Sequence, residues 1–413
     1  MRSVAGAASG RLGERGVIAL LALGGLVARL VLIRLGDGGA DLQVYAYFGE
    51  LVGAGRNPYA DAPPGGAIDP SYSDQMPLEF LLFGGLLALY RSPEAIRIFL
   101  ALADVGVILL VGLAFPRPRS WRVAFAAFYA FSPFLLLSWT AFAEDKTFVF
   151  ALIVLVIIGV EAGRPVLGWA AAAALTAVKL FGAFLVPPLV LHGLRTLPRR
   201  RLALLVAGFA VVLALAHLPF FPDGLRIYDL RSARTGIDPP IHASPTQLLA
   251  AVGLYAPAVA RFGIPLCFAA VYLLTLTRRV TPSEGVALSV LAAFLLLPDQ
   301  AANRILLVSL PLLLVLRATR GRWLALWGAS ALSAVALYAQ VRGVPELGLP
   351  GWAPVADATR ALFGPYGSVR HVVWMNLTFA LVLGFFVSDK LRGQGLPSPS
   401  AHGRGEEGAA LPA

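Results

Sequence analysis

The chain has 413 residues, of which 58% are hydrophobic and only 14% charged, with a formal charge of +11 and a mean hydropathy of +0.75. Soluble globular domains carry about 25% charged residues, so a soluble enzyme is excluded. An outer-membrane barrel is excluded too: it needs segments of about ten residues with alternating polarity, whereas the apolar excess here lies in long blocks such as 17–28, 98–115, 147–160 and 202–216. The class that fits is an all-α, polytopic transmembrane helical bundle with lipid as its main solvent. The lone Cys267 cannot form an intrachain disulfide. Basic residues come in short clusters between apolar blocks, so no nucleic-acid partner is expected.

Arg2, Arg11 and Arg15 precede an apolar run that continues through Arg29 to about Leu35 with no small-residue cleavage site, which reads as an uncleaved first span. The basic clusters are the N-terminus, Arg117/Arg119/Arg122, Arg195/Arg199/Arg200/Arg201, Arg278/Arg279, Arg317/Arg320/Arg322 and Lys390/Arg392. All fall on the cytoplasmic side if spans run at 16–35, 95–115, 122–139, 147–161, 166–179, 181–195, 202–220, 258–277, 285–298, 304–317, 323–341 and 369–388. That trace predicts about twelve spans in the inner (plasma) membrane with both termini cytoplasmic, although several fall short of the ~20 residues of a membrane-normal helix. Residues 1–392 form one transmembrane domain, and the Gly-, Pro- and Ser-rich tail 393–413 is expected to be a disordered cytoplasmic segment.

The stretch 77–90 is apolar enough to cross, but a crossing there would turn Arg117, Arg119 and Arg122 outward. It is therefore placed in the outer interface as an amphipathic, re-entrant or juxtamembrane helix. The first external loop then runs over 36–93, the longest polar segment of the chain and a natural seat of function. The other external segments are 140–146, the turn near Lys179, 221–257, 298–303 and 342–368.

Within the first loop, Asp41 opens a helix-like stretch in which positions 41, 45, 48 and 52 share a face, so Asp41 and Tyr45 point together. Glycines in 53–56 and the turn Asn57-Pro58-Tyr59 end it. Asp41 has two readings that can hold together: an N-cap of an interfacial helix, or a general base beside lipid head groups. Arg29 and Asp104 lie inside apolar runs and suit a bundle-internal ion pair or hydrogen-bond network. Glu144-Asp145-Lys146 sits at an outer span end, either as a charged cap neutralised by Lys146 or as a site that could hold a divalent cation. Lys179, between apolar runs, either snorkels to the interface or meets a partner there. The loop 221–247 carries Arg226, Tyr228, Arg231, Arg234 and His242, a cationic external loop that a lipid phosphate or anionic head groups would stabilise.

The Asp just after the first span, a Tyr four residues on, the small-residue stretch and Asn-Pro-Tyr together resemble the first external loop of GT-C superfamily glycosyltransferases. The likeness is to bacterial polyprenyl-phosphate-mannose-dependent mannosyltransferases of the cell envelope, and it covers the first ~195 residues best. It implies a Tyr/Pro-rich approach to a juxtamembrane helix at Tyr72 through Pro77-Leu78, with Gln75-Met76-Pro77 where the family has a double proline. It implies a second acidic site at Glu144 and Asp145, with Ala143-Glu144 where the family often has Gly-Gln, and a phosphate contact at Lys179. Pro298-Asp299-Gln300 and Asn303-Arg304 are similar to the family's late-loop contacts to the donor phosphate.

A phosphate leaving group is already a stable anion and needs cations more than an acid, whereas the acceptor hydroxyl needs a base. The expected kit is Asp41 as base and Lys179, Arg231, Arg234 and Arg304 neutralising phosphate. Tyr45, Tyr59 and Tyr72 would contact the sugar, with Glu144, Asp145 and Gln300 as further binding residues. The function implied is inverting transfer of a sugar, mannose by resemblance, from a polyprenyl-phosphate donor to a glycolipid or glycan acceptor on the extracytoplasmic face. No GxxxxGK[ST] loop is present to cradle a nucleotide sugar. The competing classes are a multi-span transporter or flippase for lipid-linked saccharides, which would place its polar site near the midplane, and a non-catalytic partner in envelope assembly.

Overall fold

In the computed structural model, residues 13–36, 38–61, 76–228, 240–242, 244–300, 302–317, 319–340, 357–358, 361–365 and 368–393 are described. Tyr72, Arg231, Arg234 and the tail beyond 393 lie outside the described residues. Among those described, the protein is helical apart from one two-residue parallel pairing of β1 (Ile241–His242) with β2 (Asp299–Gln300). The helices used below are α1 (Glu14–Leu35), α2 (Gly39–Gly53), α3 (Pro77–Leu89), α4 (Glu94–Leu109), α5 (Arg119–Phe131), α6 (Lys146–Glu161), α7 (Pro165–Val178), α8 (Val186–Thr196) and α9 (Arg199–His217). Then follow α10 (Pro257–Leu276), α11 (Pro282–Phe294), α12 (Ala302–Leu314), α13 (Arg320–Gln340), α14 (Val369–Met375) and α15 (Leu377–Leu391).

Among the described residues, four helices are long and apolar enough to cross a membrane: α1, α4 with its continuation to Ala114, α9 with its continuation to Phe220, and α10. Two bent pairs, Arg119–Phe131 with Pro133–Ala141 and α14 with α15, raise the number to six if each is one span. The other expected spans are present as helices near the expected places, but most are short; α7, α11 and α12 have 14, 13 and 13 residues. Helices of that length fall below the ~20 residues of a membrane-normal crossing. Four to six spans is therefore what length and composition carry. Prolines set many of the starts, at Pro77, Pro165, Pro257 and Pro282, where the missing N–H costs nothing.

Ion pairs and caps tie one set of helix ends together. Arg122 at the start of α5 meets Glu14 of α1 at 2.5 Å. Arg117 grips Glu161, at the end of α6, through two contacts of 2.6 and 3.0 Å and reaches the Leu314 carbonyl of α12. Arg195 of α8 donates to the Thr275 and Leu276 carbonyls of α10. Arg322 binds Asp389 through both oxygens at 2.8 and 2.7 Å, and Lys390 pairs with Glu284 at 2.6 Å. Arg117, Arg122, Arg195, Arg322 and Lys390, one or two from each of four predicted basic clusters, thus gather at one end of the bundle.

The first loop stays at the other end. The Met76 N–H donates to the Val178 carbonyl at the end of α7, and Arg97 at the start of α4 donates to the Gly36 carbonyl after α1. Both ends of α3 are thereby held at the same end, so α3 returns on itself against α2 rather than crossing. It is not amphipathic as expected from an interfacial helix: one side packs on α2 and α7, and the exposed positions Gly85, Ala88 and Leu89 are apolar too, while its one charge, Glu79, lies on the buried side. Close approach of α2 and α3 needs glycine: a Cβ at Gly84 would meet Val52 at 2.8 Å and one at Gly49 would meet Leu87 at 2.8 Å. Tyr45 on Phe83 and Phe48 on Phe80, with ring centroids 4.9 and 5.0 Å apart, fill the same contact.

Inside the bundle, Arg29 and Asp104 are paired at 2.6 Å, both essentially without solvent contact. Tyr129 donates its hydroxyl to the second Asp104 oxygen at 2.6 Å, and the remaining Arg29 donors go to the Gly25, Ala130 and Tyr129 carbonyls. The network anticipated from sequence is present, and its polar atoms satisfy each other as burial requires.

Candidate functional site

The end of the bundle opposite the arginine-tipped helix ends brings acidic and basic candidates of the sequence together. A turn after the bent α5 pair carries Glu144 and Asp145. It is set by Ala143 in the left-handed region, at φ 54, with the Glu144 N–H bonded to the Trp139 carbonyl at 2.8 Å. An alanine there takes a conformation that ordinarily favours glycine, and the strain sits immediately before the acidic pair, as it often does at functional sites. Asp145 is fully buried. Its carboxylate is met by the Lys179 ammonium at 2.7 Å and by Lys146 on the following residue, which also reaches Glu144 at 3.2 Å. Its backbone N–H donates to the Tyr45 hydroxyl at 3.4 Å, joining the first loop to this turn.

Lys179 ends α7 where the chain leaves the helix in an extended conformation. It is buried rather than snorkelling, because two carboxylates hold it: Asp145 and, at 3.0 Å, Glu79 of α3. Glu79 was not among the residues singled out from the sequence. The signal was there: it is the only charged residue of Pro77–Leu89, and a charge in an apolar helix requires a partner.

Burial alone would raise the Asp145 carboxyl, but the adjacent Lys146 and Lys179 charges outweigh it and hold Asp145 well below the ordinary carboxylate range. Glu79 goes the other way. Burial raises it, Lys179 only partly offsets that, and the neighbouring Asp145 raises it further. The Tyr45 phenol is pushed well up, first by burial and then by the charges of Asp145, Asp41, Glu144 and Glu79. Tyr45 is thus a neutral hydrogen-bonding group.

Asp41 is half-buried in the first turn of α2, not its N-cap; Gly38, in the left-handed region at φ 89, holds that position. The capping reading of Asp41 is thereby corrected, although a carboxylate in the first turn still suits the helix dipole. Its charge acts on both Tyr45 and Lys146, which places it in the electrostatic neighbourhood of the cluster. Tyr59 lies elsewhere, its ring against Phe80 and Phe220 at 5.2 and 5.7 Å.

The two late loops also meet. His242 pairs with Gln300 through the β1–β2 register, Ser244 donates to the Leu297 carbonyl, and Asn57 reaches Asp223 at 3.3 Å. Phe181, two residues after Lys179, packs on Phe294 at 5.0 Å, so the turn carrying Lys179 adjoins the helix that leads to Gln300. Arg304 is half-buried in the first turn of α12. Among the described residues no group of three or more His, Cys, Asp or Glu is arranged to hold a metal ion. No protein-family model matches the chain, and no curated protein matches it.

Proposed function

We propose that the protein is a membrane glycosyltransferase of the GT-C type, with about twelve spans, moving a sugar from a polyprenyl-phosphate donor to an acceptor hydroxyl on the extracytoplasmic face. Mannose is the sugar the sequence likeness suggests. The observation that carries this reading is the buried cluster of Glu79, Asp145, Lys146 and Lys179 at the end of the bundle away from the arginine-rich helix ends, with Tyr45 bonded to it and Asp41 close by. Fixed charges in a water-poor site cost no reorganisation when the reaction occurs.

In this reading Asp41 takes the proton of the acceptor hydroxyl as its oxygen attacks the anomeric carbon opposite the phosphate. The anomeric configuration inverts, and the phosphate leaves as an anion met by Lys179, with Arg304, Arg231 and Arg234 as further cations. Tyr45 and Asp145 hold the geometry between base and lysine. The sidelong entry of a polyprenyl chain suits a bundle in which α9 and α10 expose large apolar side chains such as Leu204, Leu215, Phe262 and Leu266.

The test follows radiolabel from polyprenyl-phosphate mannose, and from a pentose equivalent, in proteoliposomes of purified protein. Donor-dependent glycoside formation is expected. Movement of intact lipid-linked saccharide across the bilayer with no bond broken would instead make the protein a transporter.

A further inference from the structure

Glu79 and Asp145 are both fully buried, and both reach one ammonium, that of Lys179, at 3.0 and 2.7 Å. Asp145 has Lys146 as well, whereas Lys179 is the cation paired with Glu79. Two carboxyl groups that share a dry site and one cation cannot both ionise without a large penalty, and the proton goes to the one with less positive charge around it. That one is Glu79, whose two carboxyl oxygens, like Asp145 Oδ2, are buried with no hydrogen-bond partner among the described residues. A carboxylic acid can donate a hydrogen bond to a neighbouring carboxylate, and a second carboxylate cannot.

We propose that Glu79 is a positioning residue that works as a neutral acid, donating to Asp145 so that the Lys179 ammonium keeps the charge needed to grip a phosphate ester anion. This rests on the donor reading above. With Glu79 neutral, Lys146 and Lys179 face Asp145 and Glu144; with Glu79 ionised, a further negative charge stands 3.0 Å from the Lys179 ammonium and repels phosphate. Other ionisable groups lie on the elements packed against α3: Asp41, Tyr45, Tyr47 and Glu50 of α2, Glu94 and Arg97 of α4, and His217 of α9. The charges that chiefly set the state of Glu79 are those of Lys179 and Asp145. The sign follows: neutral Glu79 favours phosphate binding, so affinity is highest at low pH and falls as pH rises through its titration, about tenfold per pH unit for one linked proton.

Two measurements on the full-length protein test this. Infrared difference spectra of wild type against Glu79→Gln, recorded from about pH 6 to about pH 9, are expected to show the carbonyl stretch of one buried carboxylic acid at neutral pH. That band should be absent in the variant and lost from wild type at alkaline pH. Binding of farnesyl phosphate should weaken with pH in wild type and stay level in Glu79→Gln. Absence of the band, or an equal pH dependence in both proteins, overturns the role of Glu79 while leaving the donor reading standing. A band without farnesyl phosphate binding in either protein overturns the phosphate assignment, and the donor reading with it.

Discussion

At the scale of single residues, burial of charge does most to organise the protein. Arg29 and Asp104 sit within the bundle as a closed set with Tyr129 and three carbonyls. Leaving one partner of such a pair alone costs about 3–5 kcal/mol, whereas replacing both with apolar groups of similar size is often neutral. Asp104→Leu is therefore expected to lower the thermal unfolding temperature in detergent markedly, and Arg29→Met with Asp104→Leu to recover most of it. A double variant as unstable as the single one would mean that the pair holds something beyond its own charges. Lys179 and Asp145 obey the same rule at the bundle's end, but there the charges meet Tyr45 of α2 and Glu79 of α3. Asp41, Tyr45, Glu144, Asp145 and Lys179 could all be found from sequence, because each is a polar group beside an apolar run. Glu79 carried a signal of the same kind, a single charge within an apolar helix, but only the fold brings Lys179 to it.

At the scale of elements, glycines decide how closely helices meet. A Cβ at Gly159 of α6 would stand 2.4 Å from the Gly168 nitrogen of α7, so these helices touch backbone to backbone. Overpacking typically costs about 1–3 kcal/mol, and Gly159→Ala should destabilise by at least that much because backbone, not a flexible side-chain end, must give way. Gly84→Val has a more local reading. It would push α3 off Val52 of α2 and carry Glu79 away from Lys179, so the Glu79 infrared band should shift while the unfolding temperature falls only modestly. An unshifted band would show that Glu79 is positioned by α7 alone. Helix positions were legible in the sequence because apolar runs and N-terminal prolines mark them. Of the readings of 77–90 as an amphipathic, re-entrant or juxtamembrane helix, the amphipathic one does not hold, because the exposed positions Gly85, Ala88 and Leu89 are as apolar as the buried side.

For the whole molecule, the sidedness argument carries the most weight. The positive clusters required a non-crossing 77–90, and the structure returns α3 to its starting end of the bundle while the arginine-tipped helix ends assemble opposite. The number of crossings was less legible: short apolar helices such as α11 and α12 satisfy the charge pattern without being long enough to span upright. Engineered cysteines at Gly55 and Arg200, in a Cys267→Ser background, should label from opposite faces of intact spheroplasts, Gly55 from outside. Labelling of both from one face would remove the extracytoplasmic site.

The most direct measurement is the sugar-transfer rate of Asp41→Asn against wild type in proteoliposomes, with folding checked by unfolding temperature. Loss of a general base costs about 10²–10⁴-fold, or roughly 3–5 kcal/mol of barrier, and a fall of that size at unchanged stability is predicted. A correctly folded Asp41→Asn protein that transfers at the wild-type rate would contradict the placement of the reaction at this end of the bundle.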